Sequence, residues 1–228
     1  MAYTVQTFLN EFKRYCINDM KKSGILASLT AAQGKIESKN GNSGLTVECN
    51  NLFGIKGQYQ GQSKKYWTTE YYNGVKKRIQ ADFRKYPSWQ ESVNDHSAMF
   101  NRMDRYKNLR NCQDYEEACI NVKKDGYATA PDYTQTLFNF IKKNKLWKWD
   151  YEVLKDYPAS KLRTVKLGSD GGGVYLLQMI LAGKGYKLDC DSNFGPQTEQ
   201  AVKAYQLANH LLVDGVVGQK TWQKLKEV

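Results

Sequence analysis

Residues 66–83, YWTTEYYNGVKKRIQADF, are the segment that most limits the possible folds of this chain. β-Branched and aromatic residues lie on both sides of Asn73-Gly74, and an Asn-Gly pair between two such runs is the strongest short-range signal for a β hairpin. The segments before and after it have helical periodicity. The sequence therefore predicts an α+β fold that is mainly helical and carries one small β-hairpin lobe.

Four helices are predicted around this hairpin. The first runs from Ser23, with apolar residues spaced as on one face of a helix, and ends in the turn-forming segment SKNGNSG at 38–44. A second begins at Ser88, where SWQE has the spacing of a capping box. A third covers residues 113–124 and a fourth begins near Asp132. The first helix places Ile25, Leu29, Ala32 and Ile36 on its apolar face, and the second places Trp89, Val93, His96 and Phe100 on its own.

The end of the chain contains an internal repeat. The segments DSNFGPQT (191–198) and DGVVGQKT (214–221) share Asp, Gly and Thr at the same positions, and each precedes a segment with apolar periodicity. Together with an apolar helix near Val174, they predict a small three-helix unit. We expect a first domain over residues 1–150, a linker over 151–165 and a second domain over 166–228.

Charge indicates an anionic partner. The net charge is +11, and residues 1–150 account for +9 of it. Basic residues interleaved with aromatic ones are also typical of proteins that bind single-stranded nucleic acid. Here they are scattered in pairs and do not line one helix or strand, which favours another polyanion, such as a bacterial wall rich in anionic polymers.

No signal for membrane insertion, export or metal binding is evident. No apolar run reaches the length of a membrane-spanning helix, and residues 1–20 lack the uninterrupted apolar stretch of a secretory signal. We therefore expect synthesis in the cytoplasm. The five cysteines form an odd set without a CxxC pair, which favours free thiols, and no local cluster offers a tetrahedral metal site. The prediction is a protein without disulfides, metals or other cofactors.

Glu37 is the residue that conflicts with its local structure. It lies in the last turn of the first predicted helix, where the helix dipole disfavours a carboxylate, and it follows Ile36 on the apolar face. Both effects raise the pKa of the carboxyl group. A carboxylic acid that stays protonated near neutral pH can protonate the leaving oxygen of a glycosidic bond. On its own, such a residue is more often an ordinary surface carboxylate.

Five motifs in order across residues 5–150 resemble one known family. They are AAQGKIESKNGNSG (31–44), NNLFGIKG (50–57), TTEYYNG (68–74), FRKYPSWQES (83–92) and DGYATAPDYTQTL (125–137). This combination is similar to the N-acetylglucosaminidase domain of bacterial and phage peptidoglycan hydrolases, glycoside hydrolase family 73, which has a lysozyme-like fold. Residues 166–228 resemble the type 1 peptidoglycan-binding domain, through the Asp-Gly-Thr repeat.

The resemblance implies catalytic roles for three residues. Glu37 matches the general acid of the family, and Glu70 on the hairpin matches its second carboxylate. Tyr127 matches a tyrosine that faces the cleft near the acid, although a half-buried core tyrosine is an equal alternative. The second carboxylate could activate water or stabilise charge, a covalent intermediate could form, or the substrate's own acetamido group could act as nucleophile. Glu48, Glu91 and Asp95 are weaker candidates for the second carboxylate, and His96 is assigned to the core.

The same resemblance implies substrate contacts. Asn51, Phe53 and Gly54 of NLFG are expected on the floor of the groove, and Tyr66, Trp67 and Tyr133 offer flat faces for pyranose rings. In the second domain, the two repeat loops are expected to frame a shallow site, although their residues could equally be structural caps: Asp191, Thr198, Asp214 and Thr221. The glycine-rich segment GSDGGGV (168–174) predicts a loose start of the first helix there.

Together these features predict an endo-β-N-acetylglucosaminidase that cleaves the β-1,4 bonds of peptidoglycan. We expect a phage or prophage endolysin that acts on the wall after release from the cytoplasm, as a monomer that neither enters the membrane nor binds nucleic acid. Muramidase specificity on the same substrate, a non-catalytic wall-binding component and a nucleic-acid binder are the alternatives.

Overall fold

The computed structural model describes residues 2–72 and 75–227, without the side chains of Glu70, Tyr71 and Tyr72. Asn73 and Gly74, the predicted hairpin turn, lie outside the described residues. Two short 3-10 helices, at Asp104–Leu109 and Ala159–Lys161, accompany the main elements. These are α1 (Val5–Ser23), α2 (Ala27–Glu37), α3 (Gly44–Cys49), β1 (Ser63–Tyr72), β2 (Val75–Arg84), α4 (Trp89–Arg102), α5 (Tyr115–Lys124), α6 (Tyr133–Asn144), α7 (Trp147–Leu154), α8 (Gly172–Gly183), α9 (Pro196–Ala208) and α10 (Gln219–Leu225).

Helix α1 was not predicted from the sequence. It begins with a capping box at Thr4 and ends at Gly24, whose φ of 73° is typical of a left-handed helix cap. It packs against α2, α4 and α7. Its buried apolar residues are Phe8, Leu9, Phe12, Cys16 and Met20, and they form one face of the helix.

Helix α2 is the central element of the first domain. The predicted helix from Ser23 begins only at Ala27, because Gly24 ends α1 and residues 24–26 connect the two helices. All residues from Ala27 to Gly34 are buried, and Glu37 is the last helical residue. This burial fixes the position of the helix end that carries Glu37.

The predicted hairpin is present. Strands β1 and β2 pair antiparallel, from Ser63 opposite Arg84 to Tyr72 opposite Val75. Most of β2 is exposed, but Phe83 near its end is 6% exposed and attaches the hairpin to the body through a bridge to Lys56. The hairpin therefore projects from the helical body and is held at its base.

The three helices predicted after the hairpin, now α4, α5 and α6, agree with their predicted positions. Ser88 caps α4 by accepting a hydrogen bond from the Gln90 N–H, and its hydroxyl contacts the Glu91 carboxylate, so the predicted cap is present in a modified form. Asp114 caps α5 through the backbone N–H groups of residues 116 and 117. Leu137 and Ile141 of α6 are buried, as their spacing predicted.

The last three helices form the predicted helical unit, and they contact the first domain closely. Residues 151–154, expected in the linker, belong to α7, which packs against α8. Val165 pairs with Val217 in an isolated β bridge. The glycine-rich segment before α8 is not loose, contrary to the expectation. A Cβ atom on Gly172 would lie 2.8 Å from the Asp150 Cβ atom, so glycine permits tight packing here.

Two further observations concern the described residues. None of the helices within 2–72 and 75–227 has both the length and the apolar character needed to cross a bilayer. The five cysteines are unpaired, and four of them are buried: Cys16, Cys49, Cys112 and Cys119.

Candidate active site

The side chain of Glu37 faces a cleft because helix α2 ends directly after this residue. Ser38 caps the helix with both its backbone N–H and its hydroxyl, which contact the Gly34 carbonyl. Lys39, Asn40 and Gly41 then adopt positive φ angles of 53°, 58° and 79°, which cannot continue a right-handed helix. The chain turns away at this point, and the Glu37 side chain faces an open cleft.

The cleft has a volume of about 860 Å³. Its walls come from the end of α2, the loop after α3, helix α4 and the two loops that precede α5 and α6. Glu37 is the one carboxylate among the described residues that line it. The other lining residues are Ile36, Phe53, Gly54, Ile55, Lys56, Met99, Arg105, Tyr106, Gly126, Tyr127, Ala128, Thr129, Ala130 and Tyr133.

The environment of Glu37 raises its pKa. Burial of the carboxyl group among protein atoms is the dominant cause, and the hydrogen bond from the Tyr133 hydroxyl to Oε1, at 3.2 Å, acts in the opposite direction. The residue as a whole remains exposed to the cleft, so a substrate can reach it. A carboxyl group that is accessible yet favours its protonated form has the property required of a general acid.

Two tyrosines flank the carboxyl group. Tyr133, at the start of α6, accepts a hydrogen bond from Gln33 Nε2 at 3.2 Å, so its own proton is directed toward Glu37. The rings of Tyr127 and Tyr133 stack with centroids 6.0 Å apart. Burial raises the pKa of both phenols, which keeps them neutral. The structure thus brings the predicted residues Glu37, Tyr127 and Tyr133 together.

Phe53 and Gly54 line the cleft, whereas Asn51 does not contact it. Asn51 is 1% exposed, and its amide donates to the carbonyls of Ile55 and Arg84 and accepts from the Ile55 N–H. Every polar atom of this side chain is therefore used within the protein. Asn51 supports the loop that carries Phe53 instead of lying on the floor of the groove.

His96 is a core residue, as predicted. It is fully buried, stacks on Phe53 with ring centroids 3.8 Å apart, and burial lowers its pKa to about 3. Within the described part of the chain, neither ring nitrogen has a hydrogen-bond partner. A neutral imidazole that the cleft does not reach cannot exchange protons with a substrate.

The hairpin residues lie apart from the cleft lining. Trp67 is 58% exposed, and the Arg78 guanidinium lies 4.9 Å from its ring. The Tyr66 hydroxyl approaches the Gly44 carbonyl at 3.4 Å. The backbone of Glu70 pairs with Lys77, but its side chain is outside what the structure describes. The role of Glu70 therefore stays a prediction.

The weaker carboxylate candidates have other partners. Glu48 forms an ion pair with Lys64 that lowers its pKa, and Glu91 contacts Ser88. Asp95 accepts hydrogen bonds from Arg84 and from the Tyr86 hydroxyl. None of the three is among the cleft-lining residues.

Arg105 is a cleft residue that sequence reasoning missed. Its guanidinium stacks on the Tyr106 ring at 4.7 Å and lies beside Gly126. The residue is placed by the 3-10 helix at Asp104–Leu109, for which the sequence carries no periodic signal because the segment is too short. Lys56 and Arg105 give the cleft a cationic side. Across the described residues, no group of three His, Cys, Asp or Glu side chains could hold a metal ion.

The predicted residues of the C-terminal helices serve mainly as structural groups. Asp191 and Thr198 contact the Gln178 amide, and Asp214 and Thr221 contact the Gln206 amide in the same way. Both glutamines are buried, and each also accepts a backbone N–H of its loop. The sequence repeat did not reveal these glutamines, because each lies at a different number of residues before its loop. Asp214 and Thr221 also line a cavity of about 250 Å³.

A mainly helical body with a projecting β hairpin and one carboxyl group of raised pKa in an open cleft is typical of lysozyme-like glycoside hydrolases. The family model for mannosyl-glycoprotein endo-β-N-acetylglucosaminidase matches residues 13–146, and a model for peptidoglycan binding domains matches residues 170–225. The chain belongs to this glucosaminidase family.

Individual relatives agree with this assignment. The exo-glucosaminidase LytG of Bacillus subtilis is 36% identical over 150 residues, which are 64% of this chain and 53% of LytG. The peptidoglycan hydrolase FlgJ of Escherichia coli K12 is 34% identical over 131 residues, 55% of this chain and 42% of FlgJ. The chain thus spans about half the length of the curated relatives it matches.

A solved structure confirms the predicted fold class. The catalytic domain of the Listeria monocytogenes autolysin Auto superposes with a TM-score of 0.60 at 32% identity, over 65% of this chain and 90% of that one. The glycoside hydrolase domain of FlgJ from Salmonella typhimurium gives 0.53 at 28% identity, over 62% and 98%.

Proposed function

We propose that the chain hydrolyses β-1,4 glycosidic bonds of peptidoglycan as an endo-β-N-acetylglucosaminidase, with Glu37 as the general acid. The observation that supports this most strongly is the burial of the Glu37 carboxyl at the wall of an open cleft, which raises its pKa. Membership of the glucosaminidase family supports the same reaction.

In the proposed reaction, protonated Glu37 donates its proton to the glycosidic oxygen as the bond to the anomeric carbon breaks. Water supplies the hydroxyl group of the new reducing end, and its remaining proton balances the one that Glu37 gave up, so that the acid form of Glu37 is restored at the end of the cycle. The Tyr133 hydroxyl stabilises the carboxylate that exists between these steps, because it already donates to Oε1. The Tyr127 hydroxyl is proposed to orient water or the acetamido group of the substrate.

The nucleophilic step has three candidate routes. Glu70 could activate water or stabilise positive charge, a covalent intermediate could form, or the acetamido group could attack the anomeric carbon. Trp67 and Tyr66, on the same strand as Glu70, would then contact sugar rings once substrate fills the space between hairpin and cleft. These roles are proposals that rest on family resemblance.

We also propose that residues 1–150 form the catalytic domain and residues 166–228 hold the enzyme on the wall, with 151–165 connecting them. The match of a peptidoglycan binding domain to residues 170–225 supports this division. A second binding site raises the local concentration of substrate bonds at the cleft. The cavity at Asp214 and Thr221 is the proposed contact of that domain with the wall.

The biological setting is a separate proposal. A phage or prophage endolysin that is made in the cytoplasm, acts as a monomer and reaches the wall after release fits the sequence features described above. The charge of +11 would assist binding to anionic wall polymers. Light scattering of the purified chain tests the monomer directly.

Mass spectrometry of digested peptidoglycan tests the function. After borohydride reduction, the fragments should end in reduced N-acetylglucosamine. Reduced N-acetylmuramic acid would establish a muramidase, and the absence of fragments would indicate a wall-binding component without activity. Long intermediate fragments at early times are expected for an endo-acting enzyme, whereas release of small terminal units alone would indicate the exo action for which LytG is named.

A further inference from the structure

The N-terminal end of α2 is capped by a residue from a distant helix. Leu26 occupies the N-cap position without a side-chain hydrogen bond, and the first residues of the helix are buried. Asp150 of α7 instead accepts a hydrogen bond from the Ser28 N–H at 2.9 Å. The first backbone N–H groups of a helix have no partner within the helix, and at a buried helix end they cannot bind water either. The Asp150 carboxyl group supplies an acceptor for one of them.

Asp150 is also the residue against which the C-terminal helices pack. A Cβ atom on Gly172 would lie 2.8 Å from the Asp150 Cβ atom, 3.1 Å from the Tyr151 nitrogen and 3.2 Å from Leu154 Cδ1. Asp150 is fully buried, and its Oδ1 atom is the one that accepts from the Ser28 N–H. The side of Asp150 that faces α8 is therefore tightly packed.

Polar contacts fix the same interface around Gly172. The Tyr115 hydroxyl donates to Asp170 Oδ2 at 3.1 Å, and the Asp170 N–H donates to Asp114 Oδ2 at 3.2 Å. The Gln113 side chain donates to the Lys161 carbonyl at 2.7 Å and accepts from the Arg163 N–H at 2.9 Å. These contacts are directional and partly buried, unlike those of a freely moving tether.

We propose that the C-terminal helices support the catalytic helix. By packing Gly172 against Asp150, they hold its carboxyl group beneath Ser28 and so fix α2, whose eleventh and last residue is Glu37. Asp150 is in this view a positioning residue. Docking of the C-terminal helices then determines the turnover of any substrate, in addition to attachment to the wall. The catalytic part of this inference rests on the proposed function.

A matched pair of glycine variants tests the support. Gly172→Ala adds a methyl group against Asp150, whereas Gly183→Ala adds one at the other end of α8, where nothing lies within 4 Å. Alanine favours helix at both positions, so weakening of α8 itself cannot explain a difference. The substrate is a soluble, peptide-free tetrasaccharide of alternating N-acetylglucosamine and N-acetylmuramic acid, for which attachment to walls is irrelevant.

Gly172→Ala should lower kcat on the tetrasaccharide about tenfold with little change in KM, since a small displacement of the acid reduces turnover more than binding. It should also speed hydrogen exchange in residues 26–30. Gly183→Ala should match the wild type in both measurements. Equal behaviour of the two variants, or a loss for Gly172→Ala on intact walls only, would overturn the inference.

A second pair of variants, at Asp150, provides an independent test in case Gly172→Ala does not fold. Asp150→Ala removes the acceptor for Ser28 and should reproduce the loss of kcat and the faster exchange. Asp150→Asn keeps an oxygen at the same place and should restore both to within about threefold of the wild type. If the amide hydrogens of residues 26–30 exchange as slowly in Asp150→Ala as in the wild type, Asp150 does not support α2. Hydrogen exchange does not depend on activity, so an inactive wild type would refute the proposed function alone.

Discussion

Tyr133 counteracts the effect of burial on Glu37. The protein environment raises the pKa of the carboxyl group, and the Tyr133 hydroxyl lowers it by donating to Oε1 at 3.2 Å. Activity requires the protonated acid, so it declines as the pH rises through this pKa. The alkaline side of the pH profile therefore reports the balance between these two effects.

Tyr133→Phe should move the alkaline side of the kcat profile to higher pH. Loss of a hydrogen bond to a charged group raises the pKa of Glu37, because it destabilises the carboxylate and not the neutral acid. The profile is measured on soluble glycan fragments. Tyr151→Phe, on α7, serves as the control and should leave it unchanged. A downward shift in Tyr133→Phe would show that the hydroxyl does not stabilise the carboxylate.

At the scale of elements, the base of the hairpin depends on Asn51. Its side chain links the loop that carries Phe53 to the Arg84 carbonyl at the end of β2, through three hydrogen bonds. Phe83 adds a buried aromatic contact at the same place. Asn51 thus contributes directly to holding the hairpin relative to the cleft.

Asn51→Ala should lower the free energy of unfolding by about 3 kcal/mol, because it leaves buried carbonyl and N–H groups unpaired. Urea denaturation measures this loss. Asn139→Ala removes an exposed amide that contacts only Gln135 among the described residues, and it should change stability by less than about 0.5 kcal/mol. Equal stability of the two variants would mean that Asn51 does not hold the hairpin.

Elements with strong local signals were predicted, and those set by tertiary contacts were not. The hairpin and the starts of α4 and α6 follow from turn residues, capping and periodicity. Helix α1 was missed because charged residues such as Glu11 and Lys13 interrupt its apolar sequence. Both are half-buried in the structure, and Lys13 forms an ion pair with Glu152 of α7. The start of α2 at Ala27 was missed because its cap, Asp150, lies 122 residues away.

The same distinction applies to the candidate site. Glu37 could be predicted because its place in a helix end and its motif agree. The position of Asn51 beneath the cleft could not be predicted, because the sequence does not distinguish an asparagine that is buried from one that binds substrate. Arg105 could not be predicted either, since its place depends on packing against the Tyr106 ring and Gly126.

Over the whole molecule, buried acids couple stability to pH. Burial raises the pKa of Asp19 and Asp170 to about 6 and that of Asp150 to about 7, from an ordinary value of 3.8. Between the pKa of the unfolded state, 3.8, and those of the folded state, about 6 to 7, these carboxyl groups bind more protons in the folded chain than in the unfolded one. Unfolding free energy then decreases as the pH rises. His96, whose pKa burial lowers from 6.5 to about 3, acts in the opposite direction over much of this range and reduces the fall, but it is one group against three. Asp214, whose pKa is lowered, also opposes the fall but lies largely in solvent.

The free energy of unfolding should therefore fall between about pH 4 and pH 7 and level off above that range. Urea denaturation at half-unit pH intervals measures the curve. Asp150→Asn, which cannot ionise, should make the fall shallower near pH 7. Stability that rises steadily from pH 4 to pH 7 would contradict the burial of these acids in the folded state.

The central claim is that Glu37 supplies the proton. The most direct measurement is the rate of appearance of new reducing ends from peptidoglycan with the Glu37→Gln variant, beside Glu48→Gln as a control from an ion-paired carboxylate on α3. Glu37→Gln should lose a factor of about 10² to 10⁴ in this rate while its melting temperature and wall binding stay unchanged, and Glu48→Gln should remain active. Hydrolysis by Glu37→Gln at the wild-type rate would show that Glu37 is not the acid.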